Sequence, residues 1–265
     1  MTKRLLELFS GTHSIGRVAE RLGYEVTSLD RDLPAKSKLY DYTSKNHIME
    51  DIMNWNYKIY PEGYFDVVTA SPVCLFWSCL LPSNFGREIS RHPGKIFNRE
   101  LLEKDIEDYG KPMVNKVREI IDYFKPKYYW IENPKTGRMK EYITDLPFYD
   151  VDYCKYSDWG YKKSTRFWTN IKGFDAKICK KDCENIITIK TDEKDSTLHR
   201  KNAWNNKRPT GRKLHTKNCG NDFLKRLIKK HAIDMSTKVG GGSNRLERYR
   251  IPEKLIEELL NCCKT

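Results

Sequence analysis

Short β-rich runs alternate with helical patterns up to about residue 170, and no other feature constrains the fold of this chain as strongly. Leu5-Leu6-Glu7-Leu8-Phe9 and Glu25-Val26-Thr27-Ser28-Leu29 read as strands, with a helix from Ser14 to Leu22 between them closed by Gly23. Phe65 to Ala70 is a further strand. Pro112 to Phe124 places apolar residues at 113, 114, 117, 120, 121 and 124, a helical period, and Tyr128-Tyr129-Trp130-Ile131 resumes β character. Val151 to Tyr156 and Arg166 to Thr169 complete the set. Repeated strand, helix and strand predict an α/β fold, a mostly parallel sheet covered on both faces.

Past Ile171 the texture changes. Residues 172 to 220 are rich in Lys, Asp, Asn and Thr with little periodicity, Asp222 to Met235 reads as a basic helix, and Gly240-Gly241-Gly242-Ser243 as a hinge or turn. Apolar residues at 255, 256, 259 and 260 predict a final helix from Pro252 to Leu260. The expected organisation is an α/β domain over 1–171, a small basic region over 172–240, and a segment 241–265 whose helix returns to the first domain.

Forty-nine Lys and Arg against 36 Asp and Glu give a formal charge of +13, which favours a polyanionic partner, nucleic acid first. No stretch approaches the ~18 consecutive apolar residues of a membrane span, and none reads as a secretion signal. The eight cysteines then read as reduced thiols in the cytoplasm or another reducing compartment. Cys79 and Cys154 read as packing. Cys179, Cys183, His199 and Cys219 have the donor types of a zinc site stapling the basic region, although their irregular gaps also suit scattered loop thiols.

In sheets of this kind ligands bind beyond the carboxyl ends of the strands, and several segments fall there. Phe9-Ser10-Gly11-Thr12-His13-Ser14 leaves the first strand through a glycine turn into a helix, which suits close approach to a ligand and equally a plain turn and cap. Asp30 ends the second strand about 20 residues later, where an acid binds ribose hydroxyls in nucleoside-cofactor folds. Asp51 is a third acid on a loop, and a solvated carboxylate explains it nearly as well. Ser71-Pro72-Val73-Cys74 and Ile131-Glu132-Asn133-Pro134 each follow a β run and each carry a strand-breaking proline. They put a thiol and a carboxyl at one sheet edge.

Together these segments resemble the DNA cytosine-5 methyltransferase family, in its compact phage and large-DNA-virus form, from Leu5 through Asn170 in order, with a return at Arg250-Ile251-Pro252. The resemblance implies a Rossmann-like S-adenosylmethionine-dependent methyltransferase fold with a small target-recognition insert. Phe9, Ser10, Gly11, Thr12, His13, Ser14, Asp30, Asp51 and Pro72 would bind S-adenosylmethionine, released as S-adenosylhomocysteine, and no catalytic metal is implied. Cys74 matches the nucleophile that adds to cytosine C6, dividing one hard step into two easier ones. Glu132 matches the acid that engages N3, a role that needs the neutral carboxyl favoured by burial.

Arg166 matches the clamp on the base carbonyl or a phosphate, and Ser78, Asn133, Lys163 and Thr165 are the further substrate contacts. Val73 stands where the family commonly has proline. The implied partner is double-stranded DNA with the target base flipped out, met by a monomer in the host cytoplasm. Within 172–240, Trp204-Asn205-Asn206-Lys207-Arg208 and Arg212-Lys213-Leu214-His215 suit groove and phosphate contacts, and also a solvated lysine-rich loop. An RNA substrate and a catalytically lapsed DNA-binding protein are the alternative readings.

Overall fold

The computed structural model describes residues 2–32, 45–189, 196–199 and 249–264. A seven-stranded sheet runs β3-β2-β1-β4-β5-β7-β6, built from β1 (Arg4–Leu8), β2 (Glu25–Asp30), β3 (Asn46–Met49), β4 (Val67–Ala70), β5 (Tyr128–Pro134), β6 (Phe148–Asp152) and β7 (Ser164–Thr169). The first five strands are parallel, and β7 runs antiparallel between β5 and β6. This is the mostly parallel α/β sheet anticipated from the alternation, in the Rossmann-like form that the resemblance implies. Strand order reverses between β1 and β4, which opens a crevice at their carboxyl ends.

Strict alternation along each strand divides the core in two. Leu5, Val26, Val67, Trp130, Val151 and Phe167 face one layer, where they meet α1 (Ser14–Arg21) and α5 (Glu253–Cys262) through Ile15, Val18, Leu255 and Leu259. Leu6, Leu29, Val68, Ile131 and Trp168 face the other, against α2 (Arg99–Asp105) and α3 (Lys111–Phe124) through Leu102, Val114, Val117 and Phe124. The same parity assigns Glu7 and Glu132 to the α1 side, and Asn133 and Arg166 to the α3 side.

A short helix α4 (Met139–Tyr142) follows β5, and β8 (Ile186–Ile189) with β9 (Ser196–His199) forms a separate antiparallel hairpin. α1, α3 and α5 begin and end close to where periodicity puts them, whereas α2 and α4 fall outside every helix read from the sequence; α5 packs on α1, tied by Arg17 and Arg21 to Glu253.

Sequence and structure also part company in the strands and at one cysteine. β3 escaped notice because it is an edge strand, half-exposed and built from Asn-His-Ile-Met. The strand expected over Val151 to Tyr156 is β6 over Phe148–Asp152, starting three residues earlier because antiparallel pairing with β7 holds residues whose side chains stay partly in solvent, and it gives way to a 3₁₀ turn at Tyr153–Lys155. The β8–β9 hairpin lies in a stretch that read as irregular. Cys79, expected to pack, is exposed. Trp204 to Arg208, Arg212 to His215, Asp222 to Met235 and Gly240 to Ser243 lie outside the described residues.

Candidate active site

The turn from β1 into α1 holds three left-handed residues within five, Phe9 (φ 58), Gly11 (φ 46) and His13 (φ 51). Backbone of this kind persists only where its surroundings hold it, and here Glu7 does so. Its carboxylate is buried on β1, accepts the Ile15 amide at 3.1 Å and the Ser28 hydroxyl at 3.1 Å, and lies 3.5 Å from Nδ1 of His13. A strand residue thus caps α1 in place of the missing side-chain cap at His13. Gly16 lets this happen: a Cβ there would come within 2.6 Å of the Glu7 carboxylate.

Beyond the turn, the Gly11 amide donates to Asp30 at 2.8 Å and the Asp32 amide to its other oxygen at 3.1 Å. Thr12 and Ser14 share a hydrogen bond of 2.8 Å, and the Ser14 hydroxyl accepts the Ile251 amide at 3.2 Å. Asp51 accepts the Met53 amide at 2.9 Å just past β3, whose Met49 is in register with Asp30. Ser10, Gly11, Asp30 and Asp51 therefore gather at the carboxyl ends of β1, β2 and β3. The Ser10 hydroxyl is buried without a partner among the described residues. An unsatisfied hydroxyl beside carboxylates that keep further acceptor capacity fits the hydroxyls of a nucleoside such as S-adenosylmethionine.

The second half of the site joins β4 to β5. β4 ends at Ala70, in register with Ile131 one residue before Glu132, so the loop carrying Cys74 and the strand end carrying Glu132 leave the sheet side by side. Asn133 Nδ2 donates to the Pro72 carbonyl at 2.9 Å and fixes the loop. Cys74 opens a 3₁₀ turn whose Phe76 stacks on Tyr109 at 5.4 Å, within a π-helical segment, Ile106–Gly110. Val73 sits half in solvent at φ −55, so its replacement of proline leaves the loop without backbone strain.

Burial pushes the Cys74 thiol above its ordinary pKa, the Glu132 carboxylate pushes it further, and the Lys163 ammonium opposes both. Cys74 and Glu132 are therefore within electrostatic reach of each other. Glu132 is buried, accepts the Tyr153 hydroxyl at 3.2 Å, and lies 4.0 Å from Nζ of Lys163. Lys163 also lies 4.8 Å over the Tyr153 ring. On the face of Glu132 the Thr165 side chain meets the Tyr153 hydroxyl, while on the opposite face Asn133 Oδ1 is buried with no partner among the described residues.

Arg166 is not part of this gathering. It turns toward β6, where its guanidinium holds Asp150 at 2.8 and 3.0 Å and lies 3.5 Å over the Phe148 ring. The reason is register: Arg166 pairs with Asn133, so it shares that residue's face and not the face of Glu132. Ser78 accepts the Leu80 amide at 3.2 Å in a local turn. Tyr153 and Glu7 were not foreseen, since no local spacing marks them. Among the metal candidates, Cys179 and Cys183 come together with Cys154, His199 ends β9, and Cys219 lies outside the described residues.

No known protein-family model matches the chain. It is 38% identical over 268 residues to a probable DNA (cytosine-5)-methyltransferase of frog virus 3 (isolate Goorha), covering 98% of this chain and 100% of that protein. Among solved structures it is similar to the S. pombe Dnmt2 methyltransferase, at 17% identity and a TM-score of 0.40 over 66% of this chain and 53% of that one. The Entamoeba histolytica methyltransferase EhMeth gives 16% and 0.40 over 68% and 56%. The chain thus spans about half the length of these two solved structures.

Proposed function

The chain belongs to the DNA cytosine-5 methyltransferase family, and from that premise we propose that it methylates C5 of cytosine in double-stranded DNA through a covalent adduct on Cys74. Its chemistry at cytosine C5 is that of an S-adenosylmethionine-dependent transferase. The observation that carries the finer reading is the meeting of Cys74, Glu132 and Lys163 at the ends of β4 and β5 and the start of β7.

A base stacked in a duplex cannot reach a buried carboxyl, so the target nucleotide leaves the helix. Glu132 then gives a proton to N3 while Tyr153 and Lys163 hold its Oε1 side in place. Protonation at N3 makes C6 electrophilic, Cys74 gives its thiol proton to water, and the thiolate attacks C6. The S–C6 bond forms, the C5–C6 π pair shifts toward C5, and C5 becomes the nucleophile. Ser10, the Gly11 turn and Asp30 would hold S-adenosylmethionine, whose methyl–sulfur bond would break to supply the methyl group and leave S-adenosylhomocysteine. Water takes the C5 proton, the C5–H electron pair re-forms the C5–C6 double bond, the S–C6 bond breaks to release Cys74 as the thiolate, and N3 returns its proton to Glu132. Asn133 keeps the thiol on the C6 side through the Pro72 carbonyl. The basic stretch between β7 and α5 supplies target contacts.

Duplex DNA containing 5-fluorocytosine tests the covalent step, because fluorine cannot leave as the proton does. The wild type with S-adenosylmethionine gives a denaturant-resistant adduct and Cys74→Ser gives none. An adduct surviving that substitution refutes the assignment. Transfer of a labelled methyl group to an RNA of the same sequence, with none to the DNA, would move the substrate to RNA.

A further inference from the structure

Three sulfurs from two distant stretches of chain meet behind the pocket. Cys154 lies in the 3₁₀ turn Tyr153–Lys155 that follows β6, and Cys179 and Cys183 flank a tight turn in which Lys181 is left-handed at φ 65. Their Sγ atoms all lie within 4.8 Å of one another, Cys154 and Cys179 being buried and Cys183 half-buried. Tetrahedral zinc with Zn–S bonds of about 2.3 Å spaces its sulfurs by about 3.8 Å, so a small closure converts this cluster into a coordination set. The Cys-x-x-x-Cys spacing of 179 and 183 lies within the range used by structural zinc sites.

The surroundings favour an anionic metal–thiolate group over three neutral thiols. Backbone amides of Lys181 and Asp182 point to the Cys179 sulfur. Lys162 reaches the Cys179 carbonyl at 3.3 Å and Asp152 at 2.9 Å, and Lys155 reaches Asp182 at 3.1 Å. Each ammonium is paired with a carboxylate, so the two Lys–Asp pairs order the surroundings, and the amides at Cys179 are what favour a group carrying one net negative charge with three thiolates and one divalent ion. The backbone is fixed independently of the sulfurs: the Cys179 amide donates to Asp152 at 2.8 Å, and Asn185 donates to the Cys154 carbonyl at 2.9 Å. Such preorganisation lowers the cost of metal binding.

We propose that Cys154, Cys179 and Cys183 bind a zinc ion, with the fourth position left to solvent, and that the ion locks the turn bearing Tyr153. Tyr153 adjoins Cys154 in sequence and holds Glu132, so the metal acts on the pocket as a positioning device. The site stands on sulfur geometry alone and does not depend on the substrate.

Untagged full-length protein, purified under reductant without chelator, is analysed for metal content. About one zinc per chain is expected, lost in Cys154→Ser, Cys179→Ser and Cys183→Ser and kept in Cys79→Ser and Cys262→Ser. Cobalt substituted into the wild type should show the intense thiolate charge-transfer absorption and visible bands of a tetrahedral site, a readout that needs no variant to fold. Chelator should lower the melting temperature of the wild type. The proposal fails if the wild type carries no zinc and gives no such cobalt spectrum. It fails equally if all three serine variants retain zinc, or if peptide mapping finds two of these sulfurs joined as a disulfide.

Discussion

Tyr153 donates its hydroxyl to Oε1 of Glu132 over 3.2 Å from a position sealed from solvent. Burial, and then the Glu132 carboxylate, hold this phenol well above its ordinary pKa, so it stays a donor throughout the working range. Tyr153→Phe removes the donor with little change in volume. A buried hydrogen bond to a charged group contributes about 1.5–3 kcal/mol, which predicts a fall in kcat of about 10- to 100-fold. Single-turnover methyl transfer measures it, and an unchanged kcat would remove Tyr153 from the positioning of Glu132.

Cys74 should alkylate with a pH profile displaced to the alkaline side of an ordinary cysteine. Reactivity follows the thiolate, and both burial and Glu132 raise this thiol's pKa. Glu132→Gln removes one raising cause and shifts the midpoint down, whereas Lys163→Met removes the lowering cause and shifts it up. Iodoacetamide labelling followed by mass spectrometry of the Cys74 peptide reads each midpoint, with exposed Cys79 as the internal reference for reagent strength. A midpoint indifferent to both substitutions would mean that the three groups do not share a site.

Lys163 and Arg166 should separate chemistry from stability. Lys163→Met should lower kcat at least tenfold with little effect on unfolding, because its ammonium faces Glu132 near the protein surface. Arg166→Met should instead act on the β6–β7 edge. Arg166 and Asp150 form a half-buried bidentate pair, with Lys135 a further 3.1 Å from the same carboxylate, and together they hold Asp150 below the ordinary carboxylate range against the opposing effect of burial. The sign follows from linkage: a depressed folded-state value adds stability above the unfolded pKa and loses it as pH falls through the folded one. The variant should therefore be less stable near neutrality, by about 1–2 kcal/mol, and the deficit should shrink in acid. Urea unfolding at neutral and acidic pH, beside steady-state transfer, distinguishes the two.

Docking of α5 should depend on packing more than on its ion pairs. Leu259 is fully buried against α1 and the sheet, and Leu259→Ala should cost about 2–5 kcal/mol. Glu257→Ala breaks the exposed pair with Arg21 and should cost less than about 1 kcal/mol. Denaturant titrations that reversed this ranking would show that charge seats the helix.

The residue order by itself determined the alternation of strands and helices, the mostly parallel sheet, and the two loops bearing Cys74 and Glu132. Each of these is a local pattern, an apolar run broken by proline or a helical period, and local patterns survive in one dimension. Tertiary structure decided which neighbours complete the pocket. Lys163 and Tyr153 reach Glu132 while Arg166 does not, because antiparallel pairing of β7 with β5 sets which face each side chain takes, and a slip of one residue would exchange them. Glu7 beneath the β1–α1 turn and the sulfur of Cys154 beside Cys179 and Cys183 were likewise hidden. Glu7 meets its partners only where β1 turns into α1 beside β2, and Cys154 meets Cys179 only across β6 and β7; no spacing rule marks either, so each contact exists only once the chain has folded.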